Sequence, residues 1–297
     1  MHSKNMLVFF LKYIEVERGY SANTLRSYGD DVRQFMAFAG LDPESSDLSS
    51  ITHRHIRAWI SSLISQGVSP RSVNRKLSSL RSFFKFLIRE GVVKNNPLSK
   101  VVAPKLSKRL PEFVPESDMA KLDPEILFSN SYEGQRDLLI VSLFYYTGMR
   151  LSELVGLTVD SVDLASDSIR VIGKGHKERL VPIHPDLKPL IGQYLEKRGE
   201  VNINSSTVFF LTVKGEPVYQ KLVYRIVKHY LSMITPLQKR SPHVLRHTFA
   251  THLLNQGADI NAIKELLGHA NLSATQVYTH STFEKLKRNY NQAHPRA

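Results

Sequence analysis

The chain has 297 residues, 42% of them hydrophobic, with 40 Lys or Arg against 27 Asp or Glu and no cysteine. That length accommodates two domains whose cores need no covalent staples. The missing cysteine excludes disulfides, thiolate metal sites and cysteine nucleophiles, and it suits a reducing cytoplasm, the location expected here. The net charge of +13 is concentrated at the front: residues 1–110 hold 18 Lys or Arg against 8 Asp or Glu, and the rest hold 22 against 19. Such a balance favours a polyanion bound by phosphate neutralisation and counterion release, although ribosomal and membrane-surface proteins share it.

The opening Met1 to Lys12 carries a short apolar run, too short for a membrane span and without a cleavage signal, so it reads as part of a helix. Four helical patterns fill the first hundred residues. The first uses Leu7, Phe10, Leu11 and Ile14 and stops at Gly19; the second uses Leu25, Tyr28, Val32, Phe35 and Met36 before Gly40. The third uses Ile56, Trp59, Ile60, Leu63 and Ile64 before Gly67. In the fourth, Val73, Leu77, Leu80, Phe84 and Leu87 form a narrow stripe ending near Gly91.

Opposite that stripe lie Arg71, Arg75, Lys85 and Arg89, and no acid occurs between Arg71 and Arg89. A solvated face is the plain reading of such a helix; the lack of acids, together with the phosphodiester chemistry that the set Arg150 to Tyr278 suggests below, favours one that faces DNA, with Ser72, Asn74 and Ser79 as further polar contacts. Prolines 97, 104, 111 and 115, interleaved with Lys100, Lys105, Lys108 and Arg109, mark an interdomain connection that is either a clamp arm or a plain tether. The expected organisation is a helical DNA-binding domain over 1–106, a basic linker over 107–115 and a second domain over 116–297.

In the second domain, helices are expected around 119–128 and 136–146, the latter running into the turn Thr147-Gly148 with Arg150 just beyond. Two β-prone runs, 168–172 and 179–183, flank a hairpin tip that carries Lys174. Further helices are expected over 185–197, 218–233, 242–255, 259–267 and 271–279, with a β-prone 208–211 between them. The fold class is therefore mainly α, with a small antiparallel sheet in a mixed catalytic domain. Lys221, Tyr224 and Arg225 are candidate DNA contacts on one of these helices, though a surface helix explains them almost as well.

Arg150, Lys174, His243, Arg246, His269 and Tyr278 form a set of cations and imidazoles that ends in a tyrosine. A tyrosine oxygen can attack a phosphodiester and keep its energy in a covalent intermediate. Two arginine forks suit the charge that develops on the non-bridging oxygens, and a positioned lysine suits protonation of the departing sugar oxygen. Arg150 and Arg246 fit the first task and Lys174 the second, with His243 and His269 left to orient the phosphate and move the tyrosine proton. Free tyrosine has a pKa of about 10, so the site must activate it. His243 and His247 have a metal-like spacing but lack the acid of a His-Glu-x-x-His motif, so no metal is expected.

The segments Thr147-Gly-Met-Arg-Leu-Ser-Glu-Leu154, Gly173-Lys-Gly175, His243-Val-Leu-Arg-His247, Leu267-Gly-His269 and Thr275-Gln-Val-Tyr278 resemble the tyrosine recombinase, or phage integrase-like, family, most of all its Xer type. The resemblance extends to Ser21-Ala-Asn-Thr-Leu-Arg-Ser-Tyr28 and covers essentially the whole chain, with no departure at the six positions. It implies a SAM-like N-terminal bundle before a tyrosine recombinase catalytic domain, with Tyr278 as nucleophile and no cofactor. It also implies strand cleavage to a 3′-phosphotyrosine and exchange through a Holliday junction. The implied partners are a double-stranded DNA recombination site, homologous or paralogous protomers in a tetramer and a septal DNA translocase, in chromosome dimer resolution. The segment after Tyr278, particularly 283–290, is expected to dock on a neighbouring protomer. Phage or transposon integration, type IB topoisomerase activity and a non-catalytic architectural DNA binder are the competing readings.

Overall fold

A computed structural model describes residues 6–41, 48–106, 112–173, 178–201, 205–268, 290 and 293. They fall into two compact units, Met1–Arg109 and Leu110–Ala297.

In the first unit the four predicted helices form: α1 (Met6–Val16), α2 (Ala22–Phe38), α3 (His53–Ser65) and α4 (Pro70–Arg89). Gly19, Gly40, Gly67 and Gly91, one after each helix, have φ of 59°, 67°, 77° and 71°. That left-handed backbone is costly for any residue with a Cβ, so glycine stops the helix. Helix α4 starts on Ser69, whose Oγ accepts a hydrogen bond from Ser72 N at 3.3 Å, with Pro70 in its first turn. It packs on each of the other three helices. Its buried stripe includes the five predicted residues and also Phe83 and Phe86. Phe83 meets Phe10 edge-on at 5.2 Å, and Phe35 meets Trp59 at 5.3 Å. Ile64, expected in the core, is 52% exposed. At 100° per residue it lies about 80° around the helix from Ile56, at the margin of the stripe.

The cationic face of α4 is less free than its own sequence implies, because acids arrive from other helices. Asp31 of α2 is buried, and Nη1 and Nη2 of Arg75 donate to it, as do Lys76 Nζ at 3.0 Å and Ser79 Oγ at 2.7 Å. Ser79 is therefore a core residue and not a DNA contact, and Asn74 is directed to Pro104 O at 3.0 Å. Arg89 pairs with Glu17 at 3.1 Å and lies over the Tyr13 ring at 4.0 Å. Arg71 and Lys85 are exposed and have no ion-pair partner among the described residues.

The second unit comprises α5 (Glu116–Met119), α6 (Pro124–Leu127), α7 (Tyr132–Thr147), α8 (Leu151–Val155), β1 (Val162–Asp163), β2 (Ser168–Ile172), β3 (Glu178–Pro182), α9 (Leu187–Val201), α10 (Gln220–Ile234), α11 (Pro242–Asn255) and α12 (Ile260–Leu267). Helix α7 is buried along almost its whole length and packs against α9, α10 and α11. A helix apolar on nearly every side belongs in the centre. The three strands form an antiparallel sheet in the order β1-β2-β3, with Ile169 opposite Val181 and Val171 opposite Arg179.

The helix expected over 119–128 is instead two short ones. Asp123 caps the second by accepting from Glu125 N at 2.9 Å, and Pro124 cannot continue the first. Residues 208–211 form isolated bridges, Thr158 to Val208 and Leu211 to Pro217, instead of a strand. The helix expected over 271–279 lies outside the described residues, as does Phe283. Tyr290, from the segment expected to reach a neighbouring protomer, is buried within its own chain: its hydroxyl donates to Tyr146 O at 2.7 Å, and it packs with Phe249, Leu253, Ile263, Leu266 and Leu267. Val114, in the stretch expected as linker, is fully buried in the second unit. Its N–H donates to Thr248 Oγ1 and its carbonyl accepts from His252 Nε2, both at 2.9 Å. No described helix is long and apolar enough to cross a membrane.

Asp31→Ala would leave Ser79 and two cations without their shared acceptor. Because Arg75 is half-exposed and can be rehydrated, the expected loss is about 2–4 kcal/mol, read from urea unfolding of the full chain. A loss below about 0.5 kcal/mol would show that water replaces the carboxylate at little cost.

Candidate active site

Three of the six predicted chemical positions lie within the described residues. Lys174, His269 and Tyr278 lie outside the described residues, whereas Arg150, His243 and Arg246 lie inside them, and the carbonyl just before His269 is described.

Helix α7 ends at Thr147, and Gly148 turns the chain with φ 59°, its N–H donating to Phe144 O. A Cβ at Gly148 would lie 2.4 Å from Phe249 Cδ1 and 2.8 Å from Leu267 Cδ2, so only glycine lets α11 and α12 close on this turn. Arg150 follows as the residue that opens α8. Glu153, in the first turn of α8, reaches back to accept Arg150 N and Arg150 Nη1, each at 2.7 Å. The nearby ion pair is thus local, as the Arg-x-x-Glu spacing suggests.

Arg246 sits on the inner side of α11, 8% exposed, in phase with buried Phe249 and Leu253. Its Nη1 donates to Gly148 O at 2.5 Å and its Nη2 to Leu267 O at 2.6 Å. Arg150 Nη2 donates to the next carbonyl, Gly268 O, at 3.1 Å. The two guanidinium groups therefore meet at the end of α12, one residue before His269 in the chain. Each spends two of its five N–H donors on these contacts. His243 lies one turn before Arg246 and is exposed on the same helix, as is His247. Partial burial, then the charges of His243 and Arg246, lowers the His247 pKa.

A third arginine completes the arrangement. Arg179 of β3 donates Nη1 and Nη2 to Glu153 Oε1 and Oε2 at 2.9 and 2.8 Å, and Nε to Leu266 O at 2.9 Å. Leu266, Leu267 and Gly268 thus each give their carbonyl to a different arginine. In the sequence Arg179 reads only as the start of a strand. Its signal was its phase, since it shares the inward side of β3 with buried Val181.

Burial alone would raise the Glu153 pKa, but the hydrogen bonds and charge of Arg179, with the bonds from Arg150, outweigh it and hold the value at about 2. Burial and then the charge of Arg150 lower the Arg246 pKa to about 10, which leaves it cationic at neutral pH. Three guanidinium groups near one carboxylate, two of them bonded to it, give the cluster a net positive charge with fixed N–H donors, which can hold an anion. Among the described residues no three His, Asp or Glu side chains cluster as metal ligands. Lys221 and Arg225 are exposed on α10, with Arg225 Nη2 donating to Tyr219 OH at 3.1 Å.

Residues 121–285 match the phage integrase family and residues 7–91 the phage integrase N-terminal SAM-like domain. The chain belongs to this family, the tyrosine recombinases, which break and rejoin DNA. It is 42% identical over 291 residues to the tyrosine recombinase XerC of Thermodesulfovibrio yellowstonii, covering 96% of this chain and 95% of that one. The XerC of Bacillus subtilis strain 168 is 37% identical over 308 residues, with 99% and 97% covered. Among solved structures, the XerH site-specific recombinase in a post-cleavage complex with a palindromic difH substrate shares the fold, with a TM-score of 0.72, 22% identity and coverage of 93% and 82%. The Tn1549 transposon integrase bound to circular intermediate DNA does so with a TM-score of 0.69, 20% identity and coverage of 95% and 98%.

A carboxylate whose pKa is depressed on folding stabilises the fold above its unfolded value, and that stability is lost as pH falls through the folded value. For Glu153 the window runs from 4.5 down to about 2. Across it the protein should lose about 3 kcal/mol that a Glu153→Gln variant, weaker at neutral pH, does not lose. Urea unfolding of both proteins at a series of acidic pH values measures the difference, and parallel curves would contradict it.

Proposed function

We propose that this chain is a site-specific recombinase that cleaves each strand of its target duplex through Tyr278, leaving a 3′-phosphotyrosine and a free 5′-hydroxyl, and exchanges strands through a Holliday junction. The observation that carries this reading is the meeting of Arg150 and Arg246 on the adjacent carbonyls of Gly268 and Leu267, at the point where the chain enters the segment of His269 and Tyr278. In that role the two guanidinium groups hold the non-bridging oxygens as charge develops on them, and Lys174 protonates the departing sugar oxygen. His243 and His269 orient the phosphate and take part in moving the tyrosine proton. The balance works without a cofactor, because the bond broken to the sugar is replaced by one to tyrosine and later restored.

The helical module 1–106 binds the duplex, and the catalytic module extends from Val114, which is already packed into it, to the end of the chain. Arg71 and Lys85, which have no ion-pair partner among the described residues, offer cations to phosphate, and Arg75 and Arg89 reach DNA by exchanging or sharing their acids. Lys221 and Arg225 add contacts from the catalytic module. The working assembly is a tetramer of homologous or paralogous protomers on two sites. The similarity to XerC proteins supports a cytoplasmic role in resolving chromosome dimers before division, switched on by a septal DNA translocase.

Incubation with a suicide-nicked DNA library, followed by sequencing of trapped covalent complexes, tests nucleophile, polarity and target together. Tyr278→Phe should bind the recovered site with unchanged affinity and form no adduct in a denaturing gel. An adduct in that variant would remove Tyr278 from the nucleophile's role, and relaxation of supercoils without partner exchange would place the chain with topoisomerases.

A further inference from the structure

Arg179 is 6% exposed and Glu153 2% exposed on their side chains. Every nitrogen of the Arg179 guanidinium is engaged: Nη1 and Nη2 with the two oxygens of Glu153, and Nε with Leu266 O. The side chain also packs against Gly268, where a Cβ would come within 3.2 Å of Arg179 Cδ and Nη1. Each of its partners belongs to the site. Glu153 holds Arg150 from the other side, and the Leu266 carbonyl is followed by the two that receive Arg246 and Arg150.

We infer that Arg179 is a positioning residue for phosphodiester cleavage, acting through Glu153 and the C-terminal carbonyls of α12 to set the spacing and orientation of Arg150 and Arg246. It touches no substrate itself. The inference rests on the tyrosine-cleavage reading above and deepens it.

Charge and geometry both require an arginine here. Arg150 is 37% exposed and would otherwise be the sole strong partner of a buried carboxylate. Its charge would then be spent on the acid and not on a phosphate. Arg179 offsets that carboxylate from beneath, so that Arg150 is aligned by Glu153 while retaining its pull on an anion. A lysine carries the same charge, but it lacks the planar fork that spans both carboxylate oxygens and the third bond to Leu266 O.

The test compares the full-length wild type with Arg179→Lys and Arg179→Gln on a suicide-nicked duplex bearing the sequence that the wild type recovers from the library. Three quantities are read: the DNA dissociation constant, the amplitude of covalent adduct and its single-turnover rate constant. A group displaced by about 1 Å costs about 100-fold in rate, so Arg179→Lys should slow adduct formation by about 10- to 100-fold while affinity stays within about threefold. A purely structural role would instead lower the amplitude in proportion to the folded fraction and leave the rate constant unchanged, which would overturn the inference.

The pH dependence separates the two roles further. Without Arg179, burial raises the pKa of Glu153, so Arg179→Gln should acquire a rate that falls on the acidic side, and adding Glu153→Gln should abolish that limb. Should the polar variants fail to fold, Glu153→Met with Arg179→Met replaces the buried pair by packed apolar groups. This double variant should fold and still cleave slowly; wild-type cleavage by it would refute the inference. If the wild type itself forms no adduct, the cleavage reading fails first, an outcome distinct from equal rates in wild type and Arg179→Lys.

Discussion

Three successive backbone carbonyls at the end of one short helix hold three arginines from different elements in one arrangement. The last carbonyls of any helix have no partner within it. At α12 those of Leu266, Leu267 and Gly268 are taken by Arg179, Arg246 and Arg150, which come from β3, α11 and the α7–α8 turn. Cations suit the negative end of a helix dipole, so each contact satisfies the helix and fixes a guanidinium at once. Side chains as long as arginine are poor rulers by themselves. Backbone groups on a packed helix define their positions far more tightly.

Gathering three positive charges in a partly buried place is unfavourable, and Arg246 registers that through its lowered pKa. Glu153 makes the arrangement tolerable. It is buried, ionised and bonded to two of the three arginines, so the cluster keeps a positive balance without collapsing into mutual repulsion. In the proposed reaction a phosphate would meet donors already oriented, and reorganisation would be correspondingly small. The glycine at position 148 contributes by absence, since any Cβ there would push α11 and α12 away from the turn that carries Arg150.

The N-terminal unit spends its charge differently. One buried acid, Asp31, gathers Arg75, Lys76 and Ser79 and ties α2 to α4, so part of the cationic face serves the bundle before it serves a ligand. Arg71 and Lys85 remain exposed at other positions on the same helix. The basic balance of the first 110 residues is thus divided between holding the helices together and attracting a polyanion.

Helix periods, glycine stops, the β-hairpin strands and the motif residues Arg150, His243 and Arg246 were legible in the sequence because each rests on neighbours a few positions away. A 3.6-residue stripe, a left-handed glycine and a strand's alternation are properties of the local chain. The buried position of Arg179 was readable in principle from its phase with Val181, yet its purpose was not. Its partner Glu153 lies 26 residues away and Leu266 lies 87. Asp31 lies 44 residues from Arg75, and Val114 lies 134 from Thr248. Such pairings are chosen when whole helices pack. The linear order of residues therefore determined which elements form and which groups are available for chemistry, whereas folding in three dimensions decided which charges are neutralised, which are free, and which arginine aligns another.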